Sequence, residues 1–171
     1  MKRNAGFTLI EITVVMAIIG VLAALAIGSY KSSQIKARDT QRKNDLKQIS
    51  SSLEAYYNDK GQYPISSVSY EINGCADGDT CSWGDAWVDE SNTTYMVEIP
   101  SDPKDYLNYY YESDGIFYQF YARLENDLDH QVPVLADSPA NYGISCGDSN
   151  CNYGVSSSNI TITADRVITA D

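Results

Sequence analysis

Residues Phe7 to Ile27 form an apolar run of 21 residues broken by one charge, Glu11, and few folds accommodate such a run. It is long enough to cross the hydrocarbon of a bilayer as a single helix, which takes about 20 residues. A carboxylate within it costs roughly 2.5–3.5 kcal/mol near a helix centre on insertion scales, and less near an end. The chain must therefore supply Glu11 with a partner or hold it at the membrane surface. Lys2 and Arg3 precede the run, so the positive-inside rule keeps residues 1–6 in the cytoplasm and sends everything after Ile27 outward.

A secretory signal peptide accounts for the basic start and the apolar middle, with Ala24-Leu25-Ala26 as a small-x-small cleavage site and a mature chain from Ile27. A plain single-pass anchor accounts for the length. Both leave Glu11 unexplained.

A third reading accounts for it. The stretch MKRNAGFTLIEITVVMAIIGVLAALAI resembles the N-terminus of type IV pilins and of the related pseudopilins of type II secretion. The likeness lies in a short basic leader ending in Gly6, the order Phe7-Thr8-Leu9-Ile10-Glu11, and an unbroken apolar helix thereafter. The resemblance implies that a prepilin peptidase cuts between Gly6 and Phe7 and that the new Phe7 amine is methylated. It implies a single-pass inner-membrane precursor that polymerises through its helix into an extracellular filament. The implied partners are further copies of itself, the peptidase, an assembly ATPase and a platform protein. Cleavage creates a cationic amine four residues before Glu11, on the same helix face. In a filament the carboxylate would meet a neighbour's amine inside an apolar bundle, where removing one member of a buried pair costs about 3–5 kcal/mol.

The implied fold is α+β: a long N-terminal helix packed on a small antiparallel sheet of about 3–4 strands. The parts follow in order: a leader at 1–6, a transmembrane or filament-core helix at 7–27, its amphipathic continuation at 28–58, and an extracytoplasmic β-rich domain at 59–171. Ser29 to Asn58 contains neither Pro nor Gly, and Ile35, Leu46, Ile49, Leu53 and Tyr57 fall on one helical stripe. The charges at Lys36, Arg38, Asp39, Arg42, Lys43 and Lys47 read as a solvated face, or as contacts to acidic headgroups or acidic neighbours. Gly61 and Pro64 stop the helix. Gly20 and Gly28 are its weak points, each costing up to about 1 kcal/mol relative to Ala. A bend or local melting between them is expected in an assembled filament.

Charge is divided unevenly along the chain. Residues 1–53 carry eight Lys/Arg against three Asp/Glu, and residues 54–171 carry four against twenty; these nets of +5 and −16 account for the overall −11. A domain this acidic repels nucleic acid, whose binding rests on neutralised phosphates. Its only cations are Lys60, Lys104, Arg123 and Arg166, so in the alternative of a binding module whose Cys-closed loops recognise a surface or DNA, the charge argues against DNA.

The four cysteines lie in two close pairs, Cys75 with Cys81 and Cys146 with Cys151, a pattern of oxidising compartments. Local bridges fit the turn-rich intervening loops, although four cysteines also allow crossed pairings. The C-x5-C and C-x4-C spacings are wider than typical zinc knuckles. Residues 65–98 read as an irregular connector pinned by the first pair and by Trp83 and Trp87. Tyr106–Glu112 and Ile116–Leu124 read as a hairpin about Ser113-Asp114-Gly115, one face on the helix and the other partly wet. NYGISCGDSNCNYG reads as a third strand entering a Cys-closed loop, and NITITADRVITA as β-like. The 14 tyrosines read mostly as sheet core rather than as a carbohydrate platform.

No nucleophile constellation, phosphate loop or His-x3-His pair is present, so an enzyme is not expected. His130, the lone histidine, stands between Asp127 and Asp129 in a polar turn. No cofactor is expected. Asp127 and Asp129 are weak calcium candidates, as are Asp77, Asp79, Asp102 and Asp105, because calcium takes hard oxygen ligands on loops; none has the twelve-residue EF-hand spacing. The Gly-Asp-rich segment typical of major pseudopilins after the hairpin is replaced by YARLENDLDH. Asn92 and Asn159 open formal glycosylation sequons.

Overall fold

The computed structural model describes residues 6–135, 138–139 and 141–160, with side chains for all of these except 25–29, 77, 134–135 and 138–139. The described chain forms two compact units, one up to Ala37 and one from Arg38 onward.

Helix α1 runs from Leu9 to Lys60, so its first part belongs to the first unit and its last turns to the second. It continues without a break through Gly20 and Gly28. It ends two residues beyond the expected Asn58, where Gly61 adopts φ +75° and its amide donates to the Tyr57 carbonyl at 2.8 Å. A left-handed residue at that position gives an orphan carbonyl a donor, and glycine takes it without a Cβ penalty. In the first unit the apolar side chains lie open: Phe7, Leu9, Ile10, Met16 and Val21 are each more than half exposed. Among the described residues no helix is long and apolar enough to cross a membrane. The expected span at 7–27 includes residues 25–27, whose side chains lie outside that description.

The second unit is α+β. The supposed connector is more ordered than its composition indicates. It carries β1 (Ile65–Ser66), β2 (Ile72–Asn73) and β3 (Thr80–Cys81) in one antiparallel sheet, followed by the paired strands β4 (Trp87–Val88) and β5 (Thr94–Met96). The Cys75–Cys81 disulfide closes the β2–β3 turn. Trp87 is wholly buried against Tyr56 and Tyr95, and its indole N–H donates to the Gly74 carbonyl at 3.1 Å.

The hairpin is present but shorter than expected: β6 is Tyr110–Ser113 and β7 is Tyr118–Ala122, with Tyr111 opposite Phe120. The short strands β8 (Val134–Leu135) and β9 (Ser138–Pro139) pair with each other. The third strand of the main sheet is β10, Tyr153–Ser156, antiparallel to β7. It follows the Cys146–Cys151 loop, whereas the sequence predicts a strand before that loop. Residues 141–146 make only an isolated bridge, Ser145 to Asn150, because their amides are spent on the loop itself. Of NITITADRVITA, the part from residue 161 lies outside the described residues, as does Arg166.

Leu46, Ile49 and Leu53 on α1 are fully buried in one cluster with Ile72, Trp87, Ile99, Tyr111, Phe120 and Leu124. Tyr57, expected on the same stripe, is 40% exposed. Strand β7 is buried on both faces rather than wet on one. Its second face is covered by Tyr142 and the Cys146–Cys151 disulfide, which form a small core with Tyr121. There the Tyr121 hydroxyl donates to Gln119.

Candidate assembly site

The chain enters α1 through a reciprocal pair of side chains. The Glu11 carboxylate accepts the Thr8 backbone N–H and the Thr8 hydroxyl, both at 2.7 Å. The Glu11 backbone N–H in turn donates to Thr8 Oγ1 at 3.3 Å. This is a capping box, which gives partners to helix N-terminal donors that otherwise have none. The Thr-x-x-Glu pattern at positions 8–11 is the sequence signal for it, and Thr8 is a partner of Glu11 beyond the amine expected from the sequence. Phe7 stands immediately ahead of the cap, 86% exposed, and Gly6 has open space about it.

The second constellation joins α1 to the loops of the second unit. Arg42 is fully buried, and its guanidinium bonds Asp102 twice, at 2.7 and 2.9 Å. Its Nη1 also donates to Asp39 and to Glu125, each at 2.9 Å. Arg38 takes the remaining side of Glu125 at 2.6 Å. Asp39 additionally accepts the backbone N–H groups of Glu125 and Asn126, at 2.8 and 2.9 Å, which fixes the turn after β7 on the helix. Lys43 reaches Asp129 at 2.7 Å, and the Tyr109 hydroxyl donates to buried Asp45 at 2.7 Å.

These positions overturn the solvated-face reading for Asp39 and Arg42, with Arg38 and Lys43 half-buried beside them. The apolar stripe itself held the clue. Its members stand at 35, 46, 49 and 53, and the missing steps at 39 and 42 are where the buried ion pairs sit. Helix periodicity puts those side chains inward whatever their polarity, and burial then requires that each charge be paired and hydrogen-bonded.

The surroundings act on the charges accordingly. Arg38, with Arg42 behind it, draws the Glu125 carboxyl down to about 2 against the opposing effect of burial. Burial pushes the Asp45 carboxyl up, although the Tyr109 hydroxyl works the other way. For Asp129 burial also pushes upward, but the Lys43 ammonium and the Gln131 N–H outweigh it and hold the group down.

Of the calcium candidates, Asp127, Asp129 and Asp102 face cations instead, and the side chain of Asp77 lies outside the described residues. Asp127 pairs with Arg123 at 3.0 Å and accepts from Asn152, while Asp129 holds Lys43. Asp102 is committed to Arg42, and Asp79 and Asp105 are exposed. Among the described residues no group of three or more His, Cys, Asp or Glu side chains is placed to hold a metal ion. His130 is exposed, 3.7 Å from Asp129. Asn92 sits exposed at φ +60° in the loop before β5, and Asn159 is exposed. The Cys146–Cys151 loop is seated by backbone contacts: the Asp148 N–H donates to the Tyr106 carbonyl at 3.0 Å and the Asn108 N–H to the Cys146 carbonyl at 3.1 Å.

Comparison with known proteins gives the N-terminal segment a context. Residues 1–27 match the prokaryotic N-terminal methylation motif. The chain is 39% identical over 61 residues to the type IV major pilin of Myxococcus xanthus, a match covering 36% of this chain and 28% of that protein. It is 40% identical over 70 residues to core protein G of the type II secretion system of Pseudomonas aeruginosa, covering 41% and 49% respectively. A fimbrial protein of Eikenella corrodens is 34% identical over 73 residues, covering 43% and 48%. The chain thus spans between about a quarter and a half of the length of these relatives. No solved structure matches the fold.

Proposed function

We propose, from the premise that the N-terminal segment of this chain is that of the type IV pilin and pseudopilin family, that the protein is the structural subunit of an extracellular filament. The observation that carries the reading is the exposed apolar helix surface from Phe7 to Leu22, which holds a single carboxylate one turn inside the Gly6-Phe7 junction. An apolar surface on all sides suits lipid or a helical bundle and nothing aqueous. In this reading the precursor crosses the inner membrane with its N-terminus in the cytoplasm. Prepilin peptidase releases residues 1–6, and Phe7 becomes the methylated first residue. Transfer from lipid to filament keeps residues 7–27 in an apolar medium while Glu11 gains the Phe7 amine of a neighbour. The assembly ATPase and platform protein would drive that transfer, and the acidic second unit would form the visible filament surface.

A second reading is favoured by the likeness to core protein G: a pseudopilin working within a secretion system. Peptide mass spectrometry on filaments sheared from producing cells separates the two. The pilin reading expects this chain to dominate the filaments, its first peptide beginning at methylated Phe7. A Phe7-processed form confined to the membrane fraction supports the pseudopilin. A mature chain starting at Ile27 overturns both.

A further inference from the structure

A cleft of about 450 Å³ opens between the β1–β2 loop, the segment leading into β6 and the disulfide loop, with Ser69, Tyr70, Asn108, Tyr110, Ser145 and Gly147 in its lining. That volume falls within the range of small-molecule sites, about 300–1,000 Å³.

Its floor is unusual. Tyr70 has φ +60°, a left-handed conformation that bulky side chains rarely take. The backbone turn is needed, since the Tyr70 N–H donates to Ser67 and its carbonyl accepts from Tyr111, at 3.0 and 2.9 Å. Glycine or asparagine would make the same turn at lower cost, so what tyrosine adds is its ring. Strain of this kind gathers at ligand clamps. The ring is stacked on Tyr110, 4.2 Å between centroids and 20° between planes, and Tyr70 as a residue is 44% exposed. The stacked pairs Tyr56–Trp87 and Trp83–Phe120, by contrast, belong to the main core.

The facing wall is polar and fixed. A Cβ at Gly147 would stand 2.3 Å from the Tyr106 carbonyl oxygen, so the loop and the turn before β6 are in backbone contact. The Ser145 hydroxyl donates to the Gly147 carbonyl at 2.5 Å, and Asn108 is exposed at the rim. An aromatic platform across from the Asn108 amide and the Ser145 hydroxyl suits a ring with C–H bonds on one face and hydroxyls around its edge. The C–H face packs on the electron-rich ring face, and an amide supplies a donor and an acceptor to adjacent hydroxyls. The net of −16 over residues 54–171 disfavours phosphate-bearing and acidic ligands. We propose that this cleft binds a neutral saccharide, independently of how the subunit assembles.

The test is saturation-transfer NMR on the full chain in a detergent without a sugar headgroup. The probes are neutral hexose and N-acetylhexosamine oligosaccharides, a sialylated counterpart and a single-stranded oligonucleotide. A neutral probe is expected to bind, with affinity falling about tenfold in Tyr70→Asn, the scale of one lost aromatic stacking contact, and holding within about twofold in Tyr70→Phe. Asn108→Ala at the exposed rim provides a second loss variant should Tyr70→Asn not fold. The proposal is overturned by binding of none of the neutral probes, by equal or better binding of the sialylated probe or oligonucleotide, or by affinity unchanged in Tyr70→Asn and Asn108→Ala.

Discussion

The Arg42 guanidinium meets the Asp102 carboxylate through two parallel hydrogen bonds, Nε to Oδ2 at 2.7 Å and Nη2 to Oδ1 at 2.9 Å, with neither side chain exposed to solvent. The pair joins positions 60 residues apart and pins a loop to the helix. Removing one partner strands the other charge. Arg42→Met is therefore expected to destabilise the second unit by about 3–5 kcal/mol, and Arg42→Met with Asp102→Leu to recover only the part due to Asp102, because buried Asp39 still lacks its guanidinium partner. Denaturant unfolding of the full chain in detergent, followed by the fluorescence of buried Trp87, measures both.

Glu125 and Asp45 make opposite contributions to pH dependence. The Glu125 carboxyl lies near 2 in the fold against an ordinary 4.5, so its stabilisation is complete above about 4.5 and is lost as pH falls towards 2. The amount is on the order of 3 kcal/mol. Asp45 is raised, so its buried charge costs stability above its folded value, and the cost is relieved on acidification. Glu125→Gln should flatten the stability profile between pH 4.5 and 2, whereas Asp45→Asn should raise stability at neutral pH relative to acid. Unfolding curves across that range decide; a profile unchanged by Glu125→Gln removes the assignment.

Thr8 and Glu11 allow the cap to be separated from the charge. Thr8→Val removes the capping hydroxyl and is expected to cost about 1 kcal/mol at the first turn, seen as roughly fivefold faster amide exchange there. Glu11→Gln keeps an acceptor that serves a capping box and so should preserve exchange protection, yet abolish filament assembly. Filaments formed normally by Glu11→Gln would show that the cap, not the charge, is what assembly uses.

Gly147 should tolerate no side chain. Its φ of +88° and the 2.3 Å approach of a would-be Cβ to the Tyr106 carbonyl force the backbone apart in Gly147→Ala, at roughly 1–3 kcal/mol. Replacing Cys146 and Cys151 together by Ser should cost about 2 kcal/mol, the value for so short a loop. Thermal unfolding of each variant gives the comparison.

The long helix, its glycine stop and the buried Leu46, Ile49 and Leu53 were legible because period 3.6 and terminator chemistry are local signals. The hairpin was legible through Gly115 and its flanking aromatics. Asp39 and Arg42 were not, because charge in a sequence reads as solvent until the partner is known, and Asp102 and Glu125 lie far along the chain. The third strand was misplaced because Cys146 and Cys151 reverse the chain before it pairs, leaving β10 rather than the preceding segment beside β7. The short pairings of residues 65–98 escaped notice since strands of two or three residues carry no periodicity.

Both disulfides close small rings, spanning six and five positions in sequence, and neither links a strand to α1. A pull applied between the helix and β10 therefore meets no covalent stop. Resistance comes only from non-covalent contacts: the ion pairs at Arg38, Arg42 and Lys43, the buried Leu46, Ile49 and Leu53, and the paired strands β6, β7 and β10. Once all of these yield, nearly the whole length of chain from Gly61 to β10 extends at about 3.3–3.6 Å per residue, the two rings withholding only their own short spans.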